Sequence, residues 1–199
     1  MGGERISSRR KFSNAVPVYL SLLAFLLVLL FLARAFDTKV EILFSPQDDC
    51  AAQIFHHLNE AQESIDVAVY YFTNRILAQA LVMANERGVR VRVYLDESQK
   101  SGKYSKGRYL EGKGVSVKYE DGVGLMHDKF CIIDGDRVIT GSFNWTVAAD
   151  LKNDENLLII RSRKLAQEYE DHFGRFWEGT YVDECRYKDK DRLEKERIR

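Results

Sequence analysis

Hydrophobic and polar residues alternate along most of the chain in two different patterns. Short apolar runs of extended character recur at residues 39–45, 64–72, 89–96, 115–119, 127–134, 137–142 and 155–161. Stretches with helical spacing lie between several of these runs, at residues 49–63, 75–87, 103–112 and 163–177. Strands that alternate with helices in this way predict an α/β fold, in which a mixed β-sheet is layered with helices.

A different pattern occupies the amino terminus, where residues 15–33 read AVPVYLSLLAFLLVLLFLA without a single charge. The segment before this run is basic, with Glu4 set against four positive residues, Arg5, Arg9, Arg10 and Lys11. About 20 apolar residues span a bilayer as a helix, and a positive flank stays on the cytoplasmic side. The pattern therefore predicts a single-pass membrane protein whose folded domain lies on the extracytoplasmic side.

A cleaved signal peptide is the alternative interpretation of the same run. Ala33-Arg34-Ala35 has the small-x-small pattern of a cleavage site, although the run is longer than the roughly 7–15 apolar residues of a signal peptide. We expect four segments: a basic cytoplasmic flank at 1–14, a transmembrane anchor or signal peptide at 15–36, one domain at 37–180, and a charged tail at 181–199.

Composition adds mainly exclusions to this picture. Acidic and basic residues balance at 30 each, so the whole molecule has no net attraction to nucleic acid or anionic lipid. Cys50, Cys131 and Cys185 are too far apart for a Cys-x-x-Cys motif, and Cys131 is expected to be a core residue. A Cys50–Cys185 disulfide would need an oxidising compartment, and the sequence leaves that pairing open. We expect no metal and no cofactor, because the catalytic stretches contain no Asp/Glu/His cluster with metal spacing.

The candidate chemistry is concentrated in two short stretches, MHDKFCIID at residues 126–134 and GSFNW at residues 141–145. Side chains two apart in a strand share a face, which pairs His127 with Lys129. Ser142 and Asn144 are likewise two apart, and a hairpin would bring the two pairs together. Lysine neutralises a phosphoryl oxygen, serine and asparagine donate hydrogen bonds, and histidine acts as a nucleophile or proton donor. The set therefore suits a phosphodiester.

Together the two stretches resemble the signature of the phospholipase D superfamily: His127-x-Lys129-x4-Asp134, then Gly141-Ser142-x-Asn144. The similarity runs over about residues 40–177 and implies a phospholipase D-like fold. It also implies a metal-independent reaction in which one histidine forms a phosphohistidine, a second histidine protonates the leaving alcohol, and water releases the product. We expect Asp134 to hold the strand and turn rather than to touch substrate, with Gly141 as a structural position of the motif.

The resemblance assigns a role to each matching position. His127 takes the catalytic role, Lys129 and Asn144 hold the phosphate oxygens, and Ser142 assists. Glu155, thirteen residues after Ser142, matches the carboxylate that orients the histidine through its other ring nitrogen.

The chain contains the motif once, although the implied reaction needs two histidines. The other three histidines lie in predicted helices without a partnering lysine or asparagine, and we expect them to be ordinary core or surface residues: His56, His57 and His172. A homodimer is therefore predicted, with its two-fold axis through the active site and one His127 from each subunit.

Two groups of single-motif relatives suggest different substrates. One contains small bacterial endonucleases with an exported domain, and the other is the membrane-anchored Zucchini or mitochondrial cardiolipin hydrolase group, which has been linked to RNA and to lipid. The chain lacks the cysteine-rich insertion expected of the second group after the first strand, where it has only PQDDCAAQ. This difference favours the compact bacterial type.

A basic segment at residues 100–118 adds to the case for nucleic acid, because six lysine and arginine residues stand there against Glu111 alone, with Tyr104 and Tyr109 between them. Basic groups track a phosphate backbone and aromatic rings stack on bases, although a solvated helix face has a similar composition. The candidate substrate-binding residues are Lys103, Lys106 and Arg108.

We therefore expect an endonuclease that acts on single-stranded nucleic acid. The alternative is a phospholipase D that releases headgroups from phosphatidylcholine or cardiolipin. A second alternative is a catalytically silent, membrane-tethered module that binds phosphate, but the five intact catalytic positions argue against it.

Overall fold

The computed structural model describes residues 19–28, 38–120 and 124–179. The chain divides into two units, Met1–Asp37 and Thr38–Arg199. Residues 19–28 of the first unit are helical (α1). Within the described ranges, no helix is both long enough and apolar enough to cross a membrane. The rest of the predicted anchor, the basic flank at 1–14 and the charged tail at 181–199 lie outside the described residues.

The second unit holds a seven-stranded sheet with helices on its faces. Its elements are β1 Lys39–Ser45, α2 Cys50–Glu60, β2 Ser64–Val69, α3 Arg75–Glu86, β3 Arg90–Leu95, α4 Ser98–Ser101, α5 Gly107–Glu111, β4 Ser116–Tyr119, β5 Lys129–Ile133, β6 Arg137–Gly141, α6 Val147–Leu151, β7 Glu155–Arg161 and α7 Arg163–Glu178. The strand order is β1-β7-β6-β5-β2-β3-β4. The β2-β3-β4 pairs are parallel and the others antiparallel, which confirms the predicted mixed α/β sheet.

The helices differ from the prediction more than the strands do. The helices α4 and α6 were not predicted, and the helix expected at residues 103–112 covers only Gly107–Glu111. These three helices have only four or five residues each, which is too short for an apolar period to stand out in the sequence. The long helices carry clear start signals, because Asn74 caps α3 and Ser162 caps α7 through side-chain oxygens.

Apolar side chains bury both faces of the sheet. On one face, the core cluster includes Ile54 and Leu81 from α2 and α3 together with Val67 and Cys131 from the strands. On the other face, aromatic residues of α7 pack against Phe130 and its neighbours. Cys131 is fully buried, as predicted, and Cys50 is also a buried free thiol. Cys185 lies outside the described residues.

One edge of this sheet gathers most of the predicted site residues. The end of β2 pairs with the start of β5 through Val69 and Lys129, and the end of β6 pairs with β7 through Gly141 and Leu157. The loops at residues 70–74, 124–128 and 142–146 therefore meet at this place, which we call the site edge. Chain topology thus joins segments that are more than fifty residues apart in the sequence.

Candidate active site

His127 lies in the loop before β5, and its side chain is exposed. The backbone is fixed on both sides of it. Met126 N donates a hydrogen bond to the Asp96 carboxylate at 3.0 Å, and Tyr70 N donates to the Asp128 carbonyl at 3.0 Å. The imidazole ring lies 4.6 Å from the Tyr70 ring, measured between centroids. The site edge therefore presents an accessible imidazole on a firmly held backbone.

Lys129 is the first residue of β5 and lies close to the imidazole. Its ammonium group donates to the His127 carbonyl and lies 5.2 Å from the centre of the Tyr70 ring. Burial lowers the pKa of Lys129 below its ordinary value, although the nearby carboxylates of Asp128 and Glu155 act in the opposite direction. A partly desolvated ammonium of this kind interacts strongly with an anionic oxygen brought next to it.

Ser142 and Glu155 form a hydrogen-bonded pair across the ends of β6 and β7. The Ser142 hydroxyl donates to the Glu155 carboxylate and accepts from Asn156 N at 3.1 Å. The other Glu155 oxygen accepts from the Asn153 side chain at 3.0 Å. In the described part of the chain the Glu155 carboxylate thus bonds to Ser142 and Asn153, and no hydrogen bond joins it to His127. The sequence did not predict the pair.

Asn144 is connected to the loop after β2. Its side-chain oxygen accepts from Tyr71 N at 3.2 Å, and Trp145 N donates to the Tyr71 carbonyl at 3.0 Å. Because the oxygen already accepts a hydrogen bond, the amide nitrogen is the group that can donate to a ligand. The structure therefore places a donor of the predicted type at the site edge.

Gly141 allows β6 and β7 to approach closely just before Ser142. Its φ is 152°, and a Cβ atom there would lie 2.9 Å from the Asn156 carbonyl carbon and closer still to its oxygen. The same carbonyl accepts a hydrogen bond from Ser142 N at 3.1 Å. A side chain at residue 141 would therefore disturb the position of Ser142.

Asp134 lies at the opposite end of the hairpin from His127. Its φ is 52°, and its carboxylate accepts hydrogen bonds from three successive backbone N–H groups, those of Gln62, Glu63 and Ser64, at 2.8–3.2 Å. The motif aspartate thus joins the β5–β6 turn to the start of β2 and lies away from the site edge.

A cavity of about 400 Å³ opens beside His127, between the site edge and α7. Its lining residues are His127, Asp128, Lys129, Phe130, Thr140, Gly141, Glu168, Tyr169 and His172. The His172 Nε2 atom lies 3.0 Å from the Asp128 carboxylate. We predicted an ordinary core or surface role for His172, but the packing of α7 brings it into the cavity that contains the motif. No signal in the sequence could have linked the two positions.

The remaining histidines belong to an ion-pair cluster at the other end of the sheet. Arg137 Nη1 lies 2.7 Å from His57 Nδ1 and 3.1 Å from the Glu60 carboxylate, which also pairs with His56 at 3.2 Å. Burial lowers the pKa of His57, and the Arg137 charge adds to this effect. These contacts agree with the ordinary role that we predicted for both residues.

The basic segment reaches the site edge through its first half. Lys106 N donates to the Phe72 carbonyl at 2.9 Å, and Phe72 N donates to the Gln99 side chain at 3.3 Å. Lys103 is exposed beside Tyr104, with its ammonium 5.4 Å from the centre of that ring, and Arg108 is exposed on α5. The ammonium group of Lys118 instead donates to the Trp177 carbonyl at 2.6 Å. Only part of the segment is therefore available near the site.

No group of three His, Cys, Asp or Glu side chains within residues 19–28, 38–120 and 124–179 is arranged to hold a metal ion. The candidate site instead consists of an imidazole, an ammonium, a serine–glutamate pair and a carboxamide. These groups can neutralise and hydrogen-bond a phosphoryl group beside a nucleophile.

Comparison with known proteins places this geometry in a family. Residues 54–177 match the family model described as "Cardiolipin synthase, PLD-like domain". The chain is 40% identical over 132 residues to a phospholipase D of Rickettsia felis, an alignment that covers 66% of this chain and 66% of that protein. It is 36% identical over 151 residues to the mitochondrial cardiolipin hydrolase of Xenopus laevis, covering 71% of this chain and 72% of that protein.

A solved structure agrees with these sequence matches. Nuc from Salmonella typhimurium, described as a phospholipase D family member, has a TM-score of 0.68 and 32% identity, and the match covers 71% of this chain and 95% of that chain. The family predicted from the two motif stretches is thereby confirmed. The chain belongs to the phospholipase D superfamily of hydrolases.

Proposed function

We propose that this protein is a metal-independent phosphodiesterase that works through a phosphohistidine intermediate on His127. The observation that carries the proposal is the convergence of His127, Lys129, Asn144 and the Ser142–Glu155 pair at one edge of the sheet. The loops that carry these residues are joined by backbone hydrogen bonds. Such preorganised donors stabilise the charge that develops on a phosphoryl group.

In the first step, the His127 imidazole attacks phosphorus while the bond from phosphorus to the leaving oxygen breaks. A second histidine gives its proton to the departing alcohol. In the second step, that histidine takes a proton from water, the hydroxide attacks phosphorus, and the phosphorus–nitrogen bond breaks to restore His127. Lys129 and the Asn144 amide nitrogen bind the non-bridging oxygens throughout both steps.

The second histidine comes from a second copy of the chain, so the active protein is a homodimer. An exposed apolar face of β1 supports this arrangement, because Val40, Ile42 and Phe44 are 51%, 57% and 54% exposed on the outermost strand. Phe44 pairs in register with Asn156, next to Glu155. This face therefore reaches the site edge, where a two-fold axis would bring two His127 side chains together.

The favoured substrate is single-stranded nucleic acid, cut internally. Lys103, Lys106 and Tyr104 stand beside the loop that holds Asn144, and Tyr104 and Tyr71 are 68% and 41% exposed. Positive groups that follow phosphates and exposed rings that stack on bases are the features that single strands need. Arg108 would extend the same surface along α5.

A phospholipid is the second candidate substrate, favoured by two specific observations. Relatives at 36–40% identity are named mitochondrial cardiolipin hydrolase and phospholipase D. Leu125 is also 62% exposed two residues before His127, although a core position was expected for it. An exposed leucine beside the nucleophile can enter the acyl region of a bilayer.

The apolar run at residues 15–33 supports a membrane-anchored form of the enzyme with its catalytic domain on the extracytoplasmic side. The alternative is an exported domain released by cleavage near Ala35. In either form the domain acts on the same side of the membrane, and no metal or cofactor takes part in the proposed reaction.

The decisive experiment compares the full-length chain in detergent with its His127→Ala variant, in buffer with a chelator. Both receive labelled single-stranded DNA and RNA and, in parallel, vesicles of phosphatidylcholine and of cardiolipin. Oligonucleotide cutting that the variant lacks is the expected result, and headgroup release with intact oligonucleotides would favour the phospholipase. Phosphate binding without turnover of any substrate would instead indicate the catalytically silent module.

A further inference from the structure

Asp96 is a buried carboxylate for which the proposed reaction has no use. It follows β3 directly, and only 3% of the residue is exposed. One oxygen accepts a hydrogen bond from Met126 N at 3.0 Å. The other accepts from the Ser98 backbone N at 3.0 Å and from the Ser98 hydroxyl at 2.6 Å. A single side chain therefore joins the loop before β5 to the first residue of α4.

The loop contact lies directly beside the nucleophile. Met126 is the residue before His127, and its side chain is 2% exposed in the cluster that also contains Tyr94 and Phe130. The Asp128 carbonyl on the far side accepts from the Tyr70 backbone. His127 is thus an exposed residue between two anchored neighbours, and Asp96 supplies one of the two anchors.

The α4 contact reaches the proposed substrate surface. Gln99, the second residue of α4, is 3% exposed, and its side-chain oxygen accepts from Phe72 N at 3.3 Å. The Phe72 carbonyl accepts from Lys106 N at 2.9 Å. Through α4, Asp96 is therefore connected to the loop on which the basic segment rests.

We infer that Asp96 is a positioning residue that holds His127 in its reactive place and joins it to the surface that binds the substrate strand, an inference that rests on the proposed function. Only a carboxylate offers two acceptor oxygens in this geometry, because an asparagine would offer one acceptor and one donor. A donor left without its acceptor in a buried position destabilises that local arrangement. Because a misplacement of about 1 Å costs on the order of 100-fold in rate, the loss of one anchor should appear in catalysis.

The test compares Asp96→Asn with the unchanged full-length protein in detergent and chelator, on bis(p-nitrophenyl) phosphate and on a labelled single-stranded oligonucleotide. The small diester is too short to reach the basic segment. We expect kcat on both substrates to fall about 10- to 100-fold, while the KM of the small diester changes less than about twofold.

Two control variants separate this effect from general destabilisation. Val93→Ala shortens a fully buried side chain on the same strand without touching the Asp96 hydrogen bonds, so it should lower Tm and keep kcat. Ser98→Ala removes only the hydroxyl contact with Asp96. It should raise the KM of the oligonucleotide and leave the small diester unaffected.

Hydrogen exchange gives a readout that needs no activity. In Asp96→Asn, peptides covering residues 124–130 and 98–101 should exchange faster than in the unchanged protein, and Val93→Ala should not show this local pattern. If Asp96→Asn keeps both its kcat and its local protection, the inference about Asp96 is refuted. If the unchanged protein cleaves neither substrate while the exchange pattern is as expected, the positioning role holds and the proposed function fails.

Discussion

Replacing Gly141 with alanine tests how closely β6 and β7 must approach at the site edge. The added Cβ atom would lie 2.9 Å from the Asn156 carbonyl carbon and 2.8 Å from the Asn156 side-chain oxygen. Carbon atoms in contact prefer about 3.5–4.0 Å, so the start of β7 would have to move by about 1 Å. Ser142 bonds to Asn156 through its backbone N and its hydroxyl, and it would move as well.

The expected cost has two parts. Overpacking of this kind destabilises by about 1–3 kcal/mol. The backbone at φ 152° is a conformation that L residues rarely adopt, which adds about 1–3 kcal/mol. We therefore expect Gly141→Ala to lower the free energy of unfolding by about 2–6 kcal/mol, and to lower kcat about 100-fold if the fold survives.

Gly88→Ala is the matched control, because Gly88 also has a positive φ, 91°, but a Cβ atom there would meet nothing within 4 Å. Only the backbone cost of about 1–2 kcal/mol should remain, with unchanged activity. Denaturant unfolding and kcat on bis(p-nitrophenyl) phosphate would be measured for both variants. Equal losses of stability, together with full activity in Gly141→Ala, would show that contact between β6 and β7 does not position Ser142.

Three further predictions concern individual side chains. Burial lowers the pKa of Lys129, so kcat/KM should fall on the alkaline side below the ordinary lysine pKa of 10.5, and Lys129→Arg should remove that fall in the pH profile. Because the unfolded chain then binds more protons than the folded one, the contribution of Lys129 to stability should rise with pH up to the ordinary pKa, as denaturant unfolding at several pH values would show. His172→Ala should reduce kcat by no more than about tenfold if a second chain supplies the proton, and a loss as deep as that of the nucleophile variant would make His172 the second histidine. Replacing Lys103 and Lys106 by alanine should raise the KM of the oligonucleotide and reduce the slope of log K against log salt by about 1.4, whereas Lys118→Ala should change neither.

The motif and most strands could be predicted because each is a local pattern. The apolar run that contains Phe130, Cys131 and Ile132 indicates a buried strand wherever it occurs, and the spacing of His127 and Lys129 needs no tertiary information. The hairpin turn is likewise local, and the Asp134 carboxylate that holds it contacts the start of β2. Seven predicted strands thus correspond to the seven observed strands.

The contacts that support the motif could not be predicted, because they join residues that are distant in the sequence. Asp96 and Met126 are 30 residues apart, and Asp128 and His172 are 44 apart. Each pair depends on which strands are neighbours and on which face α7 covers. A buried aspartate after a strand and a histidine in an amphipathic helix have no local pattern that distinguishes them from structural residues.

The position of the site follows from the order of the strands. Lys129 begins β5, Gly141 ends β6 and Glu155 begins β7, so three strand ends that are neighbours in the sheet carry or adjoin the groups that would handle the phosphate. Strand register fixes such positions to within a fraction of a residue, because a slip of one residue would turn every side chain to the other face. The nucleophile itself lies outside the strand, where register does not fix it, and that is why the loop before β5 needs anchors on both sides of His127. The Asp96 and Tyr70 contacts meet this need, and they are accordingly the contacts whose loss should lower kcat more than it lowers stability.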